Sequence, residues 1–241
     1  MKVEFSFPRG QFPRLCLVGN SNVGKSSITK LLLSHPHLYK GKVGKTPGST
    51  TRLNLINDTN LNYQVIDLPG FGYMRRVDRQ SRETVQDQIL QYIEADARCI
   101  FLMLLIISAD RLTEELDKWY FKNSTTIPLS IELLQYILNQ GISCVMVLNK
   151  IDKLNRFQIE NMREKIRQVL AAFHIEVTSF THEQGLLGII ETSVTQKIGL
   201  SELKQVVVMH ANRINLKSFD KREELLKKPP VVTSPKRKKS E

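Results

Sequence analysis

Cysteine is scarce in this chain, acidic residues are outnumbered, and no apolar run is long; each shortage removes a class of protein. The three cysteines, Cys16, Cys99 and Cys144, lie in or beside apolar runs, are odd in number and show no C-x-x-C spacing. A disulfide framework or cysteine metal site is therefore not expected, and buried free thiols in a reducing compartment are. His35, His37, His174, His182 and His210 show no metal-ligand spacing either. The longest apolar stretch, Cys99 to Ile107, is about half the ~20 residues that a membrane helix requires, so it reads as a buried strand. Glu4 stands where a secretory signal needs its apolar stretch, which argues for cytoplasmic residence.

What is present is enough for one α/β domain with a short appendage. Apolar residues make up 41% of 241 and are grouped in runs, which suits one core rather than two. The formal charge of +11 favours phosphate polymers or anionic lipid surfaces, so RNA, DNA and membrane all stay open on charge alone.

Short apolar runs alternate with turn residues and amphipathic stretches, the pattern of a mostly parallel sheet with helices on both faces. Leu15 to Val18 is a predicted strand entering a glycine-bearing loop, and Lys25 to Leu33 follows at helical periodicity. Leu53 and Leu55, then Leu61, Tyr63 and Val65, alternate with polar residues around 57–60, predicting a hairpin and one antiparallel edge strand. Cys99 to Ile107, Cys144 to Leu148 and Leu186 to Ile190 read as parallel strands. Arg82 to Ala95, Ser130 to Asn139, Arg156 to Phe173 and Ser201 to Asn212 read as helices, with Asn155 and Gln158 forming a capping box before the third. The Asp110 to Leu129 segment has no assigned structure at this level. The expected division is a domain over 1–216 and a basic, proline-broken tail over 217–241.

Gly19-Asn20-Ser21-Asn22-Val23-Gly24-Lys25-Ser26 fits G-x-x-x-x-G-K-[ST] between a predicted strand and a predicted helix. Its glycines let backbone N–H groups and a helix N-terminus face phosphates, Lys25 neutralises β and γ charge, Ser26 offers a hydroxyl to Mg²⁺, and Ser27 adds a further contact. Asp67-Leu68-Pro69-Gly70 follows a predicted strand: Asp67 is placed to reach Mg²⁺, and the Gly70 N–H to sense a γ-phosphate. In Asn149-Lys150-Ile151-Asp152 the Asp152 carboxylate is a double acceptor that matches guanine N1–H and 2-amino donors and leaves adenine unsatisfied. Asn149 braces this loop and Lys150 covers the base. Backbone N–H groups of Ser193 and Val194 are candidates for the guanine oxygen. In Lys45 to Arg52, Thr50 is the candidate second hydroxyl for Mg²⁺, with Thr51 as the fallback. Lys25, Thr50 and Gly70 carry the catalytic assignment.

With these motifs in this order the chain resembles the translation-factor-like P-loop GTPases and, in detail, the EngB family, over about Leu15 to Asn212. Thr46-Pro47-Gly48 before Thr50, and Asp67-Leu68-Pro69-Gly70-Phe71-Gly72-Tyr73, are the distinctive strings. The resemblance implies a GTP-hydrolysing switch in large-subunit ribosome assembly, binding GTP and GDP and visiting pre-ribosomal RNA and protein; a monomer is expected. The longer Asp110 to Leu129 segment and Asn149 at the head of the base reader point to an archaeal-type member. Phe71 stands where many signalling GTPases carry a water-orienting glutamine and cannot polarise water. Asn22 matches the asparagine by which related GTPases hold K⁺ near the phosphates, or it only shapes the loop. Arg75, Arg76 and Arg79 touch RNA, lend a charge in cis or are simply solvated, and Lys236 to Lys239 bind RNA, target the chain or simply keep it soluble. The competing functions are phosphate transfer to a small molecule and a GTPase of septation or a membrane surface.

Overall fold

Every residue of Arg14–Gly19 (β1) is buried, and its side chains alternate between two cores. Leu15 and Leu17 enter one and Cys16 and Val18 the other, as a central strand covered on both faces requires. The computed structural model describes residues 12–40, 53–71, 79–122, 128–177 and 187–214. In them β1 is joined by Asn54–Ile56 (β2), Gln64–Gly70 (β3), Ile100–Ser108 (β4), Cys144–Asn149 (β5) and Leu187–Thr192 (β6). The six strands form one sheet in the order β2-β3-β1-β4-β5-β6, parallel throughout except for the β2–β3 pair at the edge. This is the expected α/β architecture, antiparallel edge included.

The helices are Lys25–Leu32 (α1), Arg79–Asp96 (α2), Ala109–Leu116 (α3), Leu129–Asn139 (α4), Arg156–Ala172 (α5) and Leu200–Asn212 (α6). Ile28 and Leu32 of α1 and Leu203, Val206 and Val207 of α6 fill one face of the sheet. On the other, Ile89 of α2, Leu112 of α3, Leu134 of α4 and Ile166 of α5 pack against Met103, Leu105 and Met146. Among the described residues no helix is long and apolar enough to cross a membrane. β1 lies between β3 and β4, so the chain leaves β1 toward one edge and later returns across it. Ligands of open α/β sheets bind in the crevice that such a reversal opens at the strands' carboxyl ends.

Differences from the sequence reading have local causes. β3 does not stop at Ile66 but runs through Asp67-Leu68-Pro69-Gly70. β2 pairs with it only as far as Asp67, and β1 is irregular between Leu17 and Gly19, so Pro69 sits where a missing N–H is tolerated. Glu191 and Thr192 likewise belong to β6 rather than to a loop after it. α3 starts directly from the last residue of β4, burying Ala109, Leu112 and Leu116, and ends in a π-helical turn, Asp117–Phe121. The capping box at α5 is present: Gln158 N donates to Asn155 Oδ1 and Asn155 N to Gln158 Oε1, both at 2.9 Å. Thr50, Thr51, Arg75, Arg76, His182 and the basic tail lie outside the described residues, as does the side chain of Arg79.

The three cysteines are free thiols, and burial pushes Cys144 up to about 12 and raises Cys16 and Cys99 as well. At the amino end of the sheet the buried Arg14 guanidinium pairs with Asp96, whose other oxygen accepts from Tyr92 at 2.6 Å.

Asp58, in the β2–β3 connection, reaches back to the end of α1. It accepts from Ser34 N and Ser34 Oγ at 2.7 Å and from Asn60 N at 3.1 Å. Burial alone would raise its pKa, but these donors, with the charge of His35, outweigh it and hold the carboxyl below its ordinary 3.8. A carboxylate with a lowered folded pKa stabilises the fold fully above about pH 4 and loses that contribution as pH falls through the folded value. Asp58→Ala is accordingly expected to cost about 2 kcal/mol in urea denaturation at pH 7. The gap between wild type and variant should narrow on acidification below about pH 4.

Candidate functional site

The loop after β1 is shaped by close contacts that exclude side chains at two glycines. A Cβ on Gly19 would lie 2.3 Å from the Ile106 carbonyl oxygen on β4. Gly24 has φ 94°, which favours glycine, and a Cβ there would lie 2.2 Å from Asn149 Nδ2. That same Nδ2 donates to the Val23 carbonyl at 2.7 Å, so a side chain at position 24 would displace the latch between β5 and the loop. Asn149 Oδ1 accepts in turn from Thr192 Oγ1 of β6 at 3.1 Å. Lys150, held at φ 67°, places its ammonium on the Asn22 carbonyl. The ends of β1, β5 and β6 are thus tied around one loop.

Lys25 opens α1, buried to 7% exposure, and its ammonium pairs with Oδ1 of the fully buried Asp67. Oδ2 of Asp67 is 2.7 Å from the Tyr39 hydroxyl, which is also 2.8 Å from Ser26 Oγ. Gly70 abuts the loop as well, since a Cβ on it would lie 3.0 Å from Ser21 Oγ and 3.2 Å from Ser21 N. Phe71 turns its ring into the core, 4% exposed, and Gln86 Nε2 donates to its carbonyl at 2.9 Å. Ser26 and Asp67 are hard oxygen donors of the kind that Mg²⁺ takes alongside water and phosphate oxygens, so this donor set fits that ion. Among the described residues no group of three or more His, Cys, Asp or Glu forms a different metal site.

Asp152 lies in the 3₁₀ turn Ile151–Lys153 just beyond β5. Hydrogen bonds from Ser193, above all, and from Thr195 outweigh its partial desolvation and hold its carboxyl below the usual carboxylate range. It is therefore a fixed, ionised acceptor at neutral pH. Ser193 itself is fully buried; its backbone N–H donates to the Ile198 carbonyl at 3.0 Å, closing the turn after β6. The Ser193 N–H, an expected contact for the base, is thus engaged by Ile198 in this structure, while its side chain bonds to Asp152.

Leu68 and Pro69 are strand residues between Asp67 and Gly70, and Ser27 follows Ser26 on α1 with its N–H bonded to the Gly24 carbonyl at 3.0 Å. Three contributors escaped the sequence reading. Thr192 and Thr195 lay in or beside a string already singled out, where their hydroxyls were the available signal. Tyr39 carried none, being one aromatic in a polar stretch.

A phosphate loop latched from β5, with a buried aspartate beside it on β3 and a braced carboxylate past β5, is the arrangement of a P-loop GTPase. Residues 14–150 match the family described as 50S ribosome-binding GTPase. The chain belongs to that family, in its EngB branch. It is 28% identical over 158 residues to a probable GTP-binding protein EngB of Methanococcus maripaludis, covering 66% of this chain and 65% of that one, just under two thirds of its length. With the corresponding protein of Methanopyrus kandleri it shares 31% identity over 161 residues, covering 67% of this chain and 76% of the other. A crystal structure of a probable GTP-binding protein EngB superposes with a TM-score of 0.67 at 24% identity, covering 83% of this chain and all of that one, a likeness of fold.

Proposed function

We propose that this chain hydrolyses GTP with Mg²⁺ and uses the difference between its GTP and GDP forms to visit a precursor of the large ribosomal subunit. The observation that carries the nucleotide part is the Asn149 amide, which ties the phosphate loop to the strand end bearing Asp152. In this reading the amides of Asn20 to Lys25 and the Lys25 ammonium take the phosphates. Ser26, Asp67 and Thr50 hold Mg²⁺, and the Gly70 N–H senses the γ-phosphate. Lys150 covers the base, Asp152 selects it and the Val194 N–H meets its oxygen. When bound, Mg²⁺ supplies positive charge against the β and γ oxygens.

Phe71, locked in the core, offers no polar atom to an attacking water. Help must come from elsewhere, and Asn22, exposed at the loop's crest with φ 64°, is the residue proposed to hold K⁺ there. Turnover is expected to be higher in K⁺ than in Na⁺, since a cation seated at Asn22 would add positive charge where negative charge develops in the transition state. Equal turnover in the two salts leaves Asn22 as a loop-shaping residue.

The ribosomal part rests on membership of a family described by its binding to the 50S subunit and on the charge of +11, which suits an RNA-rich particle. The proposal is of a cytoplasmic monomer acting on rRNA and ribosomal proteins, with the domain over 1–216 carrying the chemistry. Sedimentation of tagged protein with ribosomal precursors tests it. Co-migration with large-subunit precursors in a non-hydrolysable GTP analogue, and release in GDP, is expected; migration apart from all particles in both states would refute it.

A further inference from the structure

Tyr39 joins the two described candidates for holding the metal, and nothing in the motif pattern assigns it a role. It follows the 3₁₀ turn Pro36–Leu38, and its ring, 6% exposed, shares a core cluster with Ile28, Leu32 and Leu33. Its hydroxyl lies 2.8 Å from Ser26 Oγ and 2.7 Å from Asp67 Oδ2. A phenol has one proton to give. The carboxylate is the stronger acceptor, so that proton goes to Asp67, and the Ser26 hydroxyl donates to the phenol oxygen. Lys25 holds the other carboxylate oxygen, so Asp67 is engaged on both sides.

We propose that Tyr39 sets the metal affinity of the nucleotide site, because its hydroxyl holds the position that a Mg²⁺-bound water needs and the ion must displace it. The inference rests on the Mg²⁺–nucleotide reading above. Mg²⁺ gathers six oxygens at about 2.0–2.1 Å, so adjacent ligands lie about 2.8–3.0 Å apart. A metal-bound water next to Ser26 Oγ that also donates to Asp67 would stand at about the same two separations as the phenol oxygen does. A neutral phenol does not replace that water well, since Mg²⁺ favours water, carboxylate and phosphate oxygens. The two are therefore competitors for one place, and Tyr39 lowers the affinity for the ion by the strength of the hydrogen bonds it gives up.

The test removes only the hydroxyl. GDP is loaded onto wild type and Tyr39→Phe in EDTA, and Mg²⁺ alone is then titrated into each complex by calorimetry. The variant is expected to bind Mg²⁺ at least about tenfold more tightly, the size of one hydrogen bond to a charged group no longer competed for. Equal or weaker binding in the variant overturns the proposal. Wild type with ring-labelled tyrosine gives an independent readout: the Tyr39 carbon signal, assigned by its loss in the variant, should move when Mg²⁺ is added to the GDP complex, and an unmoved signal refutes displacement. Failure of wild type to take up GDP at all sinks the nucleotide reading and this proposal together, whereas normal GDP uptake with unchanged Mg²⁺ affinity sinks the proposal alone.

Discussion

Asp152→Asn is expected to lower the affinity for GTP by about two to four orders of magnitude and to raise that for XTP. The carboxylate accepts two hydrogen bonds from guanine, each worth about 1.5–3 kcal/mol to a charged group, or roughly 3–6 kcal/mol together. An asparagine keeps one acceptor and turns a donor toward the guanine 2-amino group, where it meets another donor. Xanthine carries an oxygen there, so the same donor is satisfied. Ser193 and Thr195 can donate to the amide oxygen as they do to the carboxylate, so the turn after β5 has no reason to collapse. The lowered pKa adds a pH signature: Asp152 stays ionised through the neutral and mildly acidic range, and GTP preference should be flat from about pH 5 to 8. Competition binding with labelled GDP against GTP, XTP and ATP reads all of this. Unchanged GTP preference in the variant would remove Asp152 as the base-reading residue.

Asp96→Ala should produce the largest loss of stability, with little effect on nucleotide binding. Arg14 is 1% exposed and pairs with Asp96, which also accepts from the buried Tyr92 hydroxyl. Taking away the carboxylate removes one partner of a buried ion pair and the acceptor of the Tyr92 hydroxyl, which costs about 3–5 kcal/mol. For a domain of this size that lowers Tm by roughly 10 °C. The pair itself need not be a net source of stability, since two desolvated charges recover little more than they lose on burial. A double variant, Arg14→Leu with Asp96→Leu, should regain most of the deficit. Arg14 begins β1, at the opposite end from the phosphate loop, so GDP affinity is expected to stay within about threefold. A single variant as stable as wild type would show that Asp96 does not neutralise Arg14.

The parts of this fold legible in the sequence are those written in local pattern. β1, its loop and α1 are adjacent in the chain, and the runs of β4 and β5 are apolar throughout because both faces of those strands are covered. The capping box at Asn155 needs only residues 155–158. What stayed hidden depends on contacts between distant residues or on junctions without punctuation. Asp58 reads as a turn residue, yet its partner is Ser34, just past the end of α1 and 24 residues away in the chain. α3 begins directly from Ser108, the last residue of β4, with no loop between them, so strand and helix meet without a separate segment to mark the change of period.

The site divides in the same way. Lys25, Asp67, Asn149 and Asp152 belong to strings whose order identifies them. The engagement of the Ser193 N–H by Ile198 is a matter of how one turn closes, and the meeting of Tyr39 with Ser26 and Asp67 depends on how the chain returns after α1. Neither has a spacing that could reveal it.

Calorimetric titration of the purified chain with the Mg²⁺ complexes of non-hydrolysable GTP and ATP analogues tests the nucleotide reading most directly. Saturable binding of the guanine analogue, with a preference of at least about 10³ over the adenine one, is the expected outcome for a site that leaves adenine's groups unpaired. Equal binding of the two analogues, or binding of neither, would contradict it.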